Sequence, residues 1–205
     1  MNLVWFVVKW VLILVGAFSA FYMTTFEVKY DGLTTKIFKE YVTPTLHKRS
    51  FALYMRMANT LLDTGDITMA SIRRVKVQDD VSNEDVEEAM SSVATEMGIR
   101  EVGMLPLSEM VELQLGSKQR FLKIYQYCSP TTAMIMVDHS DAFSAYLPCR
   151  LALIEDQNGD RWIYTLDMDF MIYGGKPLSA ELHKLALNVQ KTMYSIQDRA
   201  AEGDF

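Results

Sequence analysis

Cysteine is scarce in this sequence: two residues, Cys128 and Cys149, among 205. Two cannot build the disulfide framework of a small secreted domain, and a single potential pair does not fix the redox compartment. No Cys-x-x-Cys or Cys-x-x-Cys-His occurs, so the zinc and haem-attachment spacings are missing. The three histidines are scattered and no serine stands in a nucleophile elbow, which leaves no triad to read. Basic blocks are missing too: 20 Lys and Arg against 26 Asp and Glu leave a net charge of −6. A nucleic-acid surface needs clustered cations to displace counterions, so no nucleic-acid partner is expected. Gly174-Gly175-Lys176 is too short for a phosphate loop. The 156–160 run Asp-Gln-Asn-Gly-Asp has its glycine misplaced for a calcium loop and lacks the closing glutamate. Repeats and low-complexity stretches are absent. With 22% charged and 11% aromatic residues, disorder is excluded. The length suits one compact domain and an appendage.

What the chain does have is a long apolar opening. Residues 3–23 read LVWFVVKWVLILVGAFSAFYM, 21 residues with one charge. At about 1.5 Å per residue that run spans a hydrocarbon core of roughly 30 Å. Lys9 lies where its stem reaches headgroups, and Trp5, Trp10, Phe21 and Tyr22 fall near the ends, where amphipathic rings favour the interface. The rival is a cleaved signal peptide, with Ala17-Phe18-Ser19 as a small-residue site. The segment lacks a basic n-region, however, and stays apolar past that site. We read it as an uncleaved single-pass anchor in the cytoplasmic (inner) membrane of a bacterium, with the lipid bilayer as a partner through residues 3–23. Lys29, Lys36 and Lys39 follow the span, and a literal positive-inside count would hold the domain in the cytoplasm. The leading tail is short, though, and large following domains translocate largely regardless of charge. The expected side is therefore periplasmic.

Residues 24–70 read as a juxtamembrane linker and amphipathic helix. Phe26, Val28 and Tyr30 alternate as in a short strand or an extended linker. Phe51, Met55, Ala58 and Leu62 then recur at helical spacing, with Thr45 or Ser50 as a cap and Gly65 as the stop. His47, Lys48, Arg49 and Arg56 decorate this helix, either to lie on anionic lipid or seam a partner, or as an ordinary solvated basic face.

From residue 71 to 205 elements alternate. Residues 71–78 make a strand with Val75 and Val77 inward. Ser82-Asn83-Glu84-Asp85 makes a capping box, with Asp in place of the usual Glu or Gln. Val86, Ala89, Met90, Val93 and Met97 stripe the helix that follows, and Gly98 ends it. Residues 99–107 form a short strand, then Ser108 caps a brief helix closed by Gly116. Residues 120–128 form a strand. Ser129-Pro130 opens a helix carrying Ala133, Met134 and Val137. A hairpin turns at Asn158-Gly159, and a long helix over 178–200 carries Leu182, Leu185, Ala186, Val189, Met193 and Ile196 on one side. The fold class expected is α+β: a small sheet backed by helices, preceded by one transmembrane helix and a juxtamembrane amphipathic helix.

Three strings carry a resemblance: Tyr127-Cys128-Ser129-Pro130, Leu147-Pro148-Cys149-Arg150 running into 151–156, and the stretch 162–168. Together they resemble the domain of unknown function 302 family over roughly residues 71–196. The resemblance implies a small α+β domain, often dimeric, and no established reaction, ligand or catalytic residue.

Cys128 closes a strand just before a helix N-terminus, a setting that favours thiolate; as a small buried hydrophobe it would do nothing. Cys149 and Arg150 are the further ligand-binding candidates, Arg150 for an anionic group. Whether the thiols meet depends on strand direction: parallel neighbours would separate them by about 20 Å, and antiparallel ones could bring them together. Cys128, His139 and Cys149 are suitable metal-ligand types, and the 14 methionines could add thioether for Cu(I). Most methionines fall on helical stripes, with Met168 and Met171 as exceptions. No cofactor and no metal site are assigned. The first expectation is a membrane-tethered binding or accessory domain with a protein partner, a second copy or a small ligand, more binding than catalysis. The alternatives are thiol or sulfur redox chemistry on Cys128, with Cys149, and copper or haem handling.

Overall fold

The structure is a computed structural model that describes residues 3–205. Its contacts divide into two compact units, residues 1–48 and residues 49–205.

In the first unit, helix α1 (Leu3–Lys29) is long and apolar enough to cross a membrane, with a mean hydropathy of 2.1 over an 18-residue window and none of that window buried. Asp31 and Gly32, both at positive φ, then turn the chain into helix α2 (Leu33–Val42). The Glu27 carboxylate accepts from the backbone N–H groups of Thr34 and Thr35, at 3.0 Å each. It thereby supplies acceptors that Gly32, the residue at the helix start, cannot. The strand or extended linker expected around Phe26, Val28 and Tyr30 is therefore helix. An unbroken apolar period runs into it from residues 3–23, and three alternating residues do not outweigh that run.

The second unit holds helices α3 (Ser50–Thr64), α4 (Ile67–Ala70), α5 (Asn83–Glu96), α6 (Leu107–Leu115), α7 (Pro130–His139), α8 (Asp169–Tyr173) and α9 (Ala180–Glu202). A 3-10 segment covers Asp141–Tyr146. Strands β1 (Ile72–Lys76), β2 (Arg100–Leu105), β3 (Leu122–Cys128), β4 (Cys149–Glu155) and β5 (Arg161–Leu166) form one sheet in the order β1-β5-β4-β3-β2, with every pairing antiparallel. This is the α+β class, a sheet backed by helices.

The core lies between one sheet face and the α5–α9 pair. Val86, Ala89, Met90 and Val93 of α5 meet Met193 and Ile196 of α9 over Tyr127, Leu151, Leu153 and Ile163, each fully buried. The strand residues alternate along β3, β4 and β5, so one face is sealed and the other stays half-open. The capping box forms as read: Ser82 Oγ accepts from Asp85 N at 3.1 Å, and Asp85 accepts from Ser82 N at 3.0 Å.

Three local readings need correction. Helix α3 is capped at Arg49 and not at Thr45 or Ser50, and its expected stripe faces outward: Phe51 is 68% and Leu62 81% exposed, while Leu53 is buried. Ser108 does not cap α6, whose cap position is Pro106. Its hydroxyl instead donates to Leu122 O at 3.3 Å and accepts from Leu122 N at 3.1 Å, tying α6 to β3. On α7 the buried residue is Met136, and Met134 is exposed.

Candidate functional site

The sheet has two unlike ends, and the cysteines share one of them. Because β3 and β4 run antiparallel with Tyr127 opposite Cys149, Cys128 at the close of β3 lies beside Cys149 at the start of β4. The pairing answers the question that strand direction left open. Both are free thiols. They line one cavity of about 20 Å³, between the sheet end, α7 and the approach to α8, together with Met136, Met168, Met171 and Tyr127. Met136 and Met168 are buried, at 6% and 3% exposure.

The expected thiolate at Cys128 is not what this setting favours. Burial pushes the Cys128 thiol upward, with no opposing influence. Cys149 is pushed up to about 11, first by burial and then by the neighbouring Cys128, with Arg150 acting weakly the other way. Ser129 sits at the cap of α7 but spends its hydroxyl on Thr132 Oγ1 at 3.1 Å, without a capping bond. The helix N-terminus therefore does less for the sulfur than the apolar wall does against it.

The remaining sequence candidates are dispersed. Arg150 is exposed, lies opposite Gln126, and lines neither this cavity nor the groove described next. His139 is exposed, with its ring 6.2 Å from that of Phe143, and does not line the thiol cavity. His139 thus does not join the two cysteines as a ligand set, and no group of three His, Cys, Asp or Glu could hold a metal among the described residues. His183 is half-buried beside Tyr173, with ring centroids 5.8 Å apart and a buried Nε2 that has no hydrogen-bond partner. The Tyr127 hydroxyl is likewise buried and unpartnered.

Next to the thiol cavity is a groove of about 480 Å³, between α3, the 3-10 segment and α8. Tyr54, Met57, Phe143, Tyr146, Phe170 and Asp167 line it. Its outer wall is α3, held by polar contacts at two ends. Tyr54 donates to Gly174 O at 2.7 Å, and the Arg49 guanidinium lies 3.8 Å from the Tyr173 ring centroid. Arg49 also pairs with Asp169 at 3.3 Å, and Arg56 with Asp167 at 2.5 Å. The basic residues of α3 thus dock the helix on its own domain. Asp167 further accepts from Asp169 N at 3.0 Å and Tyr194 Oη at 3.4 Å. Sequence reasoning missed this groove. The available signal was the seven-residue spacing of Arg49 and Arg56, two turns on one helix face, matching the acidic pair Asp167 and Asp169. Phe143, Tyr146 and Met171 line both the groove and the thiol cavity, so a wall one side chain thick divides them.

Comparison with known proteins gives one family. The family described as "Domain of unknown function DUF302" matches residues 74–200. No curated protein matches the sequence. Among solved structures, the crystal structure of an uncharacterized conserved protein DUF302 from Bacillus stearothermophilus is similar, with a TM-score of 0.51 at 16% identity. The match covers 63% of this chain and 97% of that one, and at this identity it speaks for the fold.

Proposed function

The chain belongs to the DUF302 family, and from that premise we propose that it is a single-pass membrane protein whose domain binds an apolar small molecule. The helix α1 stays uncleaved in a bacterial cytoplasmic membrane, the domain stands on the periplasmic side, and the ligand occupies the groove between α3 and α8. The groove carries this reading. Its volume of about 480 Å³ falls in the range of small-molecule sites, and its lining is mostly apolar, with aromatic and thioether side chains beside the Ser71 and Ser140 hydroxyls and the Asp167 carboxylate. Helix α1 supports the tether, since its large apolar side chains stand exposed along its length: Leu12 66%, Leu14 65%, Phe18 64%. An aqueous helix with that surface would aggregate, whereas lipid solvates it.

The test is native mass spectrometry of the full chain ejected from detergent micelles after extraction from native membranes. The intact mass reports whether residues 1–23 remain, and adducts report a bound small molecule or a second copy. The reading expects the uncleaved mass with a small-molecule adduct, which Ala142→Trp, an exposed position on the groove lining, removes. A mature chain starting near Ala20, a bare wild-type chain, or an adduct unaffected by Ala142→Trp overturns it. Protease added to right-side-out spheroplasts should digest the domain; full protection would reverse the assigned side.

A further inference from the structure

The chain has two cysteines, and the fold brings both to one small cavity with three of its 14 methionines. Cys128 comes from the end of β3, Cys149 from the start of β4, Met136 from α7, and Met168 and Met171 from the approach to α8 and α8 itself. Five sulfur atoms from four separate chain segments thus belong to side chains around a space of about 20 Å³. That volume is about one water-sized sphere, too small for any organic ligand and large enough for a single ion.

We propose that this cavity is a copper(I) site, with Cys128 and Cys149 as thiolate ligands and the thioethers of Met136, Met168 and Met171 completing or exchanging in the coordination. The proposal is independent of what fills the neighbouring groove. Thiolate and thioether together select a soft monovalent ion, because thioether is a poor ligand for harder cations and carries no charge to attract them. Competing ligands are few: His139 is outside the lining, the hydroxyls of Ser129 and Thr132 are bonded to each other, and the remaining side-chain oxygens are the phenols of Tyr127 and Tyr146, which are harder than sulfur and suit a soft ion less.

Binding needs no redox partner. Copper enters as Cu(I) and stays so, while each thiol releases one proton to solvent as its sulfur takes up the metal. The bound pair of thiolates and one Cu(I) carries a net negative charge, to which the Arg150 guanidinium, on the residue after Cys149, is a favourable neighbour. Entry is short. Tyr146, 45% exposed, and Met171 form part of the wall between the groove and the cavity, so an ion delivered to the groove passes one layer of side chains.

The experiment is an anaerobic titration of the reduced full chain in detergent with Cu(I), in competition with bicinchoninate, alongside the Cys128→Ala/Cys149→Ala variant. The expected result is one copper retained per chain and none by the double variant. X-ray absorption should show a first shell of sulfur alone, and Met168→Leu should release copper at a lower chelator concentration. Circular dichroism of each variant checks that it is folded. If the double variant does not fold, the sulfur-only shell of the wild-type chain decides. Copper lost from the wild-type chain to the competitor, nitrogen or oxygen in the shell, equal retention by a folded double variant, or preference for Zn(II) over Cu(I) overturns the proposal.

Discussion

Asp156 and Cys149 stand at opposite ends of strand β4, and they meet their surroundings differently. Asp156 accepts from the N–H groups of Asn158 and Asp160, at 2.8 and 3.0 Å, and from Trp162 Nε1 at 3.1 Å. Around it Lys76 pairs with Asp160 at 2.8 Å, Ser82 and Asp85 cap α5, and Glu87 receives both Lys123 and the Tyr125 hydroxyl. At the other end the Tyr127 hydroxyl and His183 Nε2 are buried without partners, and two thiols face an apolar space. The hairpin end is arranged as a fold requires, with its buried donors satisfied. The thiol end tolerates unsatisfied groups and an unfilled volume, and local rules tend to be broken where a site competes with stability. That contrast argues for placing the chemistry at the sulfur end independently of any motif.

The hairpin end should yield the largest loss. Lys123 keeps 15% of its side chain exposed and pairs with Glu87 at 2.9 Å. Glu87→Leu strands that charge and the Tyr125 hydroxyl together, and should cost about 3 kcal/mol in urea unfolding of the full chain in detergent. The double variant Glu87→Leu/Lys123→Met should recover most of it, since an apolar pair needs no desolvation compensation. A loss under about 1 kcal/mol for the single variant would mean that the hairpin end is no better organised than the thiol end.

Next in size is a rate. With its thiol raised to about 11, Cys149 of the wild-type chain, followed on its own peptide by mass spectrometry, should react with iodoacetamide about 100-fold more slowly than free cysteine at neutral pH, and accelerate only toward that value. The signs at the two ends oppose each other. A raised thiol favours the neutral form in the fold, so its contribution is complete below the unfolded thiol's pKa and is lost as pH climbs toward 11. Asp85 is lowered by the Ser82 hydroxyl and backbone, so its contribution is present above the unfolded carboxylate's pKa and is lost as pH falls. Alkaline and acid unfolding should accordingly start from opposite ends of the sheet, which hydrogen exchange at Cys149 and Val86 would resolve.

How legible each end was follows from the range of the forces involved. The capping box at Ser82, the αL closures at Gly65, Gly98 and Gly116 and the Asn158-Gly159 turn are decided within a few residues, and they stand as read. The stripe of α9 was equally clear, because nine of its residues are buried in one row. Helix α3 misled because hydrophobic spacing sets which residues share a face, whereas Arg49, Tyr54 and Arg56, with their polar tips, decide which face docks. The sulfur cavity was beyond local reading. Cys128 and Cys149 come together only through the antiparallel register of β3 and β4, a non-local choice, and their methionine neighbours arrive from α7 and α8. The one local sign was that Met168 and Met171 fell off every helical stripe.

The smallest predicted effect is the sharpest, because two tyrosines on one strand face differ in a single bond. Tyr125 and Tyr127 are both buried, at 3% and 0% exposure, and two residues apart on β3. Tyr125 Oη donates to Glu87 Oε1 at 2.8 Å, and Tyr127 Oη donates to nothing. Tyr125→Phe should therefore lose about 1.5 kcal/mol, the worth of a hydrogen bond to a charged acceptor. Tyr127→Phe removes only a desolvated hydroxyl and should leave stability unchanged or raise it by up to about 1 kcal/mol. Denaturant midpoints of the two variants, compared at equal slope, measure the difference directly. Equal losses would show that Tyr127 finds a partner in solution. The thiol end would then be as satisfied as the hairpin end, and the argument that sets the two apart would fall with it.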